Sequence, residues 1–218
     1  MKKSTTTLIT ATVVFFSCTQ SSESTSNAVG GKTPNPTKHA TSRPTRRFSS
    51  RHEYVETNGA RVLIQNSFPK SRINYTEPTG RKYIYAVFWT QIINKTPTSL
   101  ELAIDFPADS FELPASSGNY MKLLLPPDTL IPDKELLSDY GLAAKPFLDQ
   151  NLRKPTSIRR TIRSTDSSAF YVVTLSNRGV GGTLRTGFSL EHPNLVYRVN
   201  EKAIPGGKID LKKLMFPK

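Results

Sequence analysis

Arg81-Lys82-Tyr83-Ile84-Tyr85-Ala86-Val87-Phe88-Trp89-Thr90-Gln91-Ile92-Ile93-Asn94 decides the fold. It is rich in β-branched and aromatic residues and holds no glycine or proline, so it reads as one long strand. Side chains alternate across a strand, which puts Ile84, Ala86, Phe88 and Ile92 on one face and Tyr83, Tyr85, Val87 and Trp89 on the other. The first set reads as core. The second has two readings: an open row of rings that stacks on sugars or a partner surface, or a second small core covered by the segment 133–152.

Outward from this strand the chain shows short alternating segments separated by turn residues. Arg61 to Asn66 reads as the first strand of the domain. Leu100 to Phe106 reads as the hairpin partner of the long strand across Lys95-Thr96-Pro97-Thr98. Met121 to Leu125, Ser157 to Arg163, Ala169 to Ser176, Thr183 to Glu191 and Leu195 to Val199 follow, and a last strand includes Ile209 and Leu211. Pro132-Asp133-Lys134-Glu135 looks like a helix start, and the stretch to Leu152, interrupted by Gly141 and Pro146, predicts one or two short helices. About seven short strands predict an all-β, two-sheet β-sandwich of immunoglobulin-like kind, with a closed barrel as the alternative. The cysteine pair of true immunoglobulin domains is absent, and the run from Phe88 to Asn94 with Leu100 to Phe111 resembles uncharacterised secreted lipoprotein domains, which brings no activity with it.

The single cysteine, Cys18, excludes an intramolecular disulfide and any cysteine-held metal centre. It lies at the end of a short apolar stretch, Leu8 to Phe16, behind the positive Met1-Lys2-Lys3. That stretch is too short to span a bilayer, and a segment polar in character for more than thirty residues follows Cys18. The tetrapeptide Phe15-Phe16-Ser17-Cys18 resembles a bacterial lipobox, departing from its commonest form at Phe16, where alanine or serine is usual. The resemblance implies a signal peptide over 1–17, cleavage before Cys18, a diacylglycerol thioether on its sulfur and a palmitate-type acyl group on its new amino terminus. It implies a Gram-negative membrane lipoprotein of the cell envelope. Thr19 is not the aspartate that retains such proteins in the inner membrane, which points to the outer membrane. With only Glu23 as an acidic residue close behind, the periplasmic face is expected.

Residues 18–52 then read as the lipidated cysteine and a disordered tether, because 20 of the 32 residues from Thr19 to Ser50 are Ser, Thr, Pro, Asn or Gly. Random-coil scaling gives such a tether a reach of about 30 Å. Its cations Lys32, Lys38, Arg43, Arg46, Arg47 and Arg51 can lie on anionic headgroups or simply keep it soluble. The domain is expected over 53–218.

The one histidine inside the domain, His192 before Pro193, reads as an exposed turn residue, and neither a nucleophile elbow, a phosphate loop nor a zinc-protease motif is present. Asp105, Asp109 and Glu112 cluster in sequence without EF-hand spacing and read as a solvated loop. No cofactor, metal or catalytic residue is assigned. Lys and Arg number 30 against 17 Asp and Glu, which favours acidic partners. Arg153, Lys154, Arg159, Arg160 and Arg163 form a candidate patch for lipopolysaccharide phosphates or another acidic polymer. Interleaved aromatics and a helix-turn-helix are missing, so nucleic acid is not expected as a partner. The reading is a membrane-anchored envelope protein whose domain binds a glycan, lipopolysaccharide or protein, or serves a structural role. A carbohydrate-active hydrolase is the alternative, if carboxylates converge in three dimensions.

Overall fold

The computed structural model describes residues 48–55, 59–114, 116–191 and 194–210. Cys18, the signal segment and His192 lie outside the described residues. The architecture is a sandwich of two antiparallel sheets. The first sheet contains β1 (Phe48–Val55), β2 (Arg61–Ser67), β3 (Lys70–Thr76), β4 (Lys82–Lys95), β6 (Phe111–Glu112), β7 (Tyr120–Leu124) and β9 (Ser167–Ser176). Its order is β1-β2-β4-β9-β7-β6, with β3 also paired to β4. The second runs β10 (Thr186–Glu191), β11 (Asn194–Val199), β12 (Lys202–Asp210), β5 (Leu100–Phe106) and β8 (Thr156–Ile162). Among the described residues one α-helix, α1 (Ala144–Asn151), follows a single 3-10 turn at Pro132–Lys134. Pro146 does not break α1 because it sits in the first turn, where backbone N–H groups have no partner within the helix.

β4 pairs with β9 without interruption from Ile84↔Ser176 to Ile93↔Ser167. Its opposite edge is divided: β2 takes the half from Thr90 to Lys95, and β3 takes the half from Lys82 to Val87. Both edges of β4 are therefore occupied, and the expected hairpin with Leu100–Phe106 does not form. β5 instead joins the second sheet between β12 and β8. The turn at 96–99 is a crossing between sheets, and the buried side chain of Asn94 builds it. Its Nδ2 donates to the carbonyls of Thr98, Ile162 and Arg163 at 2.7, 3.0 and 3.0 Å, while its Oδ1 accepts from the Thr96 N–H and hydroxyl. Ile162 and Arg163 begin the return crossing from β8 to β9, so one amide joins both crossings.

The main core lies between the sheets. Val62, Ile64, Phe88, Ile92, Phe170 and Val172 face Leu102, Ile104, Phe106, Phe188, Leu195 and Tyr197. A second polar seam closes it. Asn66 donates from Nδ2 to the Phe188 carbonyl and accepts the Phe188 N–H at Oδ1, at 3.0 and 2.9 Å, as a neighbouring strand would. The Tyr54 hydroxyl accepts the Leu190 N–H at 2.7 Å. Side chains of β1 and β2 thus occupy the open edge of β10, which would otherwise be a template for unwanted pairing. The approach leaves no room for a side chain at Gly187, where a Cβ would lie 2.6 Å from Asn66 Cγ.

β1 starts at Phe48, inside the stretch the composition assigned to the tether. It is a polar edge strand whose Ser50, His52 and Tyr54 stand opposite Asn66, Ile64 and Val62 of β2.

Two stability predictions follow from these contacts. Asn94→Ala strips the partners from several carbonyls at the crossings, and urea unfolding should show a loss of about 3 kcal/mol. Burial raises the phenol pKa of Tyr54, Tyr75, Tyr85, Tyr140, Tyr171 and Tyr197. Unfolded tyrosine ionises near pH 10. The unfolded chain therefore sheds protons that the folded one keeps, so stability is intact below about pH 10 and falls as pH rises beyond it. Unfolding titrations at increasing pH should show that fall, and Tyr197→Phe should make it shallower.

Candidate functional site

The outer face of the first sheet is a set of cross-strand rows. Trp89 stands opposite Tyr171; Val87 beside Val173 and Leu124; Tyr85 beside Leu175 and Lys122. The chain between β7 and β8 folds back over these rows. Leu130, Tyr140, Leu142, Ala144 and Leu148 pack on them as a second core. Trp89 is fully buried, edge-on to Phe48 at 5.8 Å and to Tyr140 at 6.5 Å. The Tyr140 hydroxyl donates to the Phe68 carbonyl at 2.6 Å, and the Tyr171 hydroxyl donates to the Tyr140 carbonyl at 2.9 Å. Of the two readings of this face, the covered one matches the structure. Tyr85 and Trp89 have no free face for a ligand, and the platform Tyr83, Tyr85, Trp89 does not exist as a surface.

The cover ends one row short. Beyond Tyr85, Leu175 and Lys122 lies a last row of Tyr83 on β4, Asn177 just after β9 and Tyr120 on β7. This row is the floor of a cleft of about 550 Å³. Asn177 is fixed between the strands, accepting the Tyr120 N–H at 2.8 Å and donating to the Gly118 carbonyl at 3.1 Å. One wall is Ala108 to Ser110, between β5 and β6, and the other is Leu152 and Arg153, just after α1. Arg81 and Lys82 stand at the end where β3 turns into β4. Three cations, Arg81, Lys122 and Arg153, stand on the cleft side against one carboxylate, Asp109, while Lys82, next to Tyr83 on β4, points to the sheet's other face.

Lys122 joins the two walls. Only 6% exposed, it donates to the carbonyls of Ala108 and Leu152 at 2.6 Å each and of Lys154 at 3.2 Å. Desolvation lowers its pKa, and the carboxylate of Asp109 acts against that at longer range. Its ammonium is spent on backbone oxygens, so it supplies positive potential to the cleft and leaves direct contact to Arg81 and Arg153. Arg153 is 76% exposed and reaches the buried Glu77 at 3.5 Å.

The structure disperses the candidate basic patch. Arg159 and Arg160 are consecutive on β8 and must point to opposite faces. Arg159 makes a two-pronged pair with Asp105 on the outside of the second sheet, at 2.7 and 2.9 Å. Arg160 turns inward and donates to Ser168, to the Ala169 carbonyl and to the carbonyls of Pro127 and Asp128. Lys154 and Arg163 are exposed, Arg163 at the crossing from β8 to β9. Only Arg153 of the five lines the cleft, where Tyr83 of the former platform joins it. The three acidic residues also separate: Asp105 pairs with Arg159, Glu112 accepts the Gly118 N–H, and Asp109 lines the cleft. No group of three or more potential metal ligands occurs among the described residues.

Sequence reading missed Lys122, Tyr120 and Arg81 as cleft residues. A signal was present for Lys122, a lone cation inside the apolar run Met121-Lys122-Leu123-Leu124. Comparison with family models, with curated proteins and with solved structures finds no match to this chain.

Trp89 is a test of this geometry. Trp89→Ala should destabilise the domain by about 3–5 kcal/mol in urea unfolding, because it opens a cavity in the second core. A fully stable variant would contradict the cover described here.

Proposed function

We propose that this protein is a lipid-anchored cell-envelope lipoprotein whose sandwich domain is a binding module, with the cleft at Tyr83, Tyr120 and Arg153 as its ligand site. The anchor rests on the lipobox resemblance at Phe15 to Cys18 and on the cysteine-free remainder of the chain. Cysteine suits that role because its thiolate attacks a lipid donor far better than a serine hydroxyl does. Two or three acyl chains, at roughly 0.8 kcal/mol per buried methylene, then hold the protein to a membrane far more firmly than one chain does. No helix among the described residues is long and apolar enough to cross a membrane. The outer membrane, periplasmic side, is the proposed location.

The observation that carries the binding role is the imbalance in the cleft, three cations to one carboxylate in a concavity whose floor is held by three strands. Such a site favours an anionic ligand. Glycoside hydrolysis asks for two carboxylates flanking one bond, and Asp109 is the one carboxylate in this lining, which favours binding over hydrolysis.

Both halves of the reading are open to measurement. Mass spectrometry of the mature protein should find an acylated Cys18 at the N-terminus, and Cys18→Ala should move the protein from the membrane to the soluble fraction. The detergent-solubilised full chain, probed with envelope extracts and a glycan panel, should retain anionic ligands. Arg153→Ala should weaken that retention about tenfold. An unacylated chain would end the anchor proposal, and retention indifferent to Arg153 would end the cleft proposal.

A further inference from the structure

We infer that the cleft takes a sugar phosphate, with the sugar against Tyr83 and Tyr120 and the phosphate facing Arg81 and Arg153. This rests on reading the cleft as the binding site and names its ligand class. Three observations support it. First, a volume of about 550 Å³ falls within the range of small-molecule sites and is far more than a bare oxyanion fills. A ligand that matches the space has a body as well as a charge.

Second, the floor is built for a ring-shaped polar body. Tyr83 and Tyr120 sit on strands with β9 between them, so they stand about 10 Å apart. Tyrosine offers an apolar face together with a hydroxyl, which suits the apolar faces and polar rim of a sugar. The Tyr83 ring is mounted rigidly. It stacks on Tyr75 at 6.1 Å, and the Tyr75 hydroxyl donates to Asp149 of α1 at 2.8 Å. Asp149 is held in turn by Lys145 at 3.0 Å. Tyr120 is 48% exposed, free to meet a ligand.

Third, the positive charge is arranged in two depths. Lys122 is buried between the walls and committed to three carbonyls, whereas Arg153 stands exposed on one wall and Arg81 at the open end. Exposed outer cations beside a fixed inner one suit a compact, doubly charged group such as phosphate better than a flexible acidic peptide. That group is shared by free sugar phosphates and by the phosphorylated sugars of envelope glycolipids.

Amide NMR of the isotopically labelled full chain in detergent tests this, with glucose 1-phosphate, glucose, inorganic phosphate and an acidic peptide as separate probes. Glucose 1-phosphate should shift the amides of Tyr83, Tyr120 and Asn177 and bind about tenfold more tightly than glucose or inorganic phosphate. Arg153→Ala should remove most of the advantage over glucose. Tyr83→Ala should remove most of the advantage over inorganic phosphate. Because Tyr83 also stacks on Tyr75, Tyr120→Ala serves as the same test where Tyr83→Ala lowers stability. A further arm compares a phosphorylated lipopolysaccharide core oligosaccharide with its dephosphorylated form, and tighter binding of the phosphorylated core than of glucose 1-phosphate assigns the glycolipid source.

Inorganic phosphate bound as well as glucose 1-phosphate would overturn the sugar half, and glucose bound equally well would overturn the phosphate half. Binding of the acidic peptide in preference to glucose 1-phosphate, or no shift with any sugar phosphate, would overturn the inference. In those cases an envelope ligand retained through Arg153 would leave the broader binding role standing.

Discussion

The structure depends on the burial of both faces of β4 and β9. A strand with one wet face needs one cover, whereas β4 holds Phe88 and Ile92 on one side and Val87 and Trp89 on the other, all nearly free of solvent. Each such side chain contributes roughly 1.5–3 kcal/mol when fully buried, so neither face can be left open without a large loss. The second sheet covers the inner face. The chain between β7 and β8 covers the outer one. An unbroken ladder from Ile84 to Ile93 allows this, since backbone groups in a doubly covered pair have no water to turn to.

Double cover then sets the polar seams. With both edges of β4 occupied by β2, β3 and β9, the chain leaving β4 must cross to the other sheet, and a crossing exposes carbonyls to a dry interior. Asn94 satisfies them at two crossings together. At the far side the second sheet ends in β10, whose edge lies against β2, and Asn66 with Tyr54 supplies the missing ladder partners. A neutral amide fits both places because it donates and accepts at once, without the desolvation cost of a charge. The sandwich therefore has no disulfide and needs none: its sheets are joined by asparagines.

Alternation made most of the strands legible, and it identified Ile84, Ala86, Phe88 and Ile92 as core. It reveals which face a residue occupies and says nothing of which strand lies beside it. That is why Leu100–Phe106 read as a hairpin partner of the long strand and proved to belong to the other sheet. β1 was lost in composition, because Ser49, Ser50, Arg51 and His52 look like tether. An edge strand has one covered flank and tolerates such residues. β3 and the two-residue β6 were too weakly patterned to stand out. The candidate basic patch failed for a reason present in the sequence, since adjacent arginines on a strand cannot share a face. The cleft was invisible for a deeper one: its lining comes from the start of β4, the loop after β5, β7, the end of β9 and the residues after α1, and only folding brings them together.

The position of the cleft follows from where the cover stops. α1 ends at Asn151, and the chain must turn at once to enter β8 at Thr156, so it cannot reach the last row of the sheet. Lys122 catches the turning chain by the carbonyls of Leu152 and Lys154, and the loop after β5 by that of Ala108. A neutral donor would have done this at lower cost, because a desolvated ammonium among carbonyls lacks a full counter-charge. The choice of a cation makes sense if the compensating charge arrives from outside. An anion in the cleft, which Lys122 and Arg153 both line, would offset the desolvation that lowers the lysine's pKa. Binding and folding would then be linked through one side chain, with the ligand stabilising the walls that hold it.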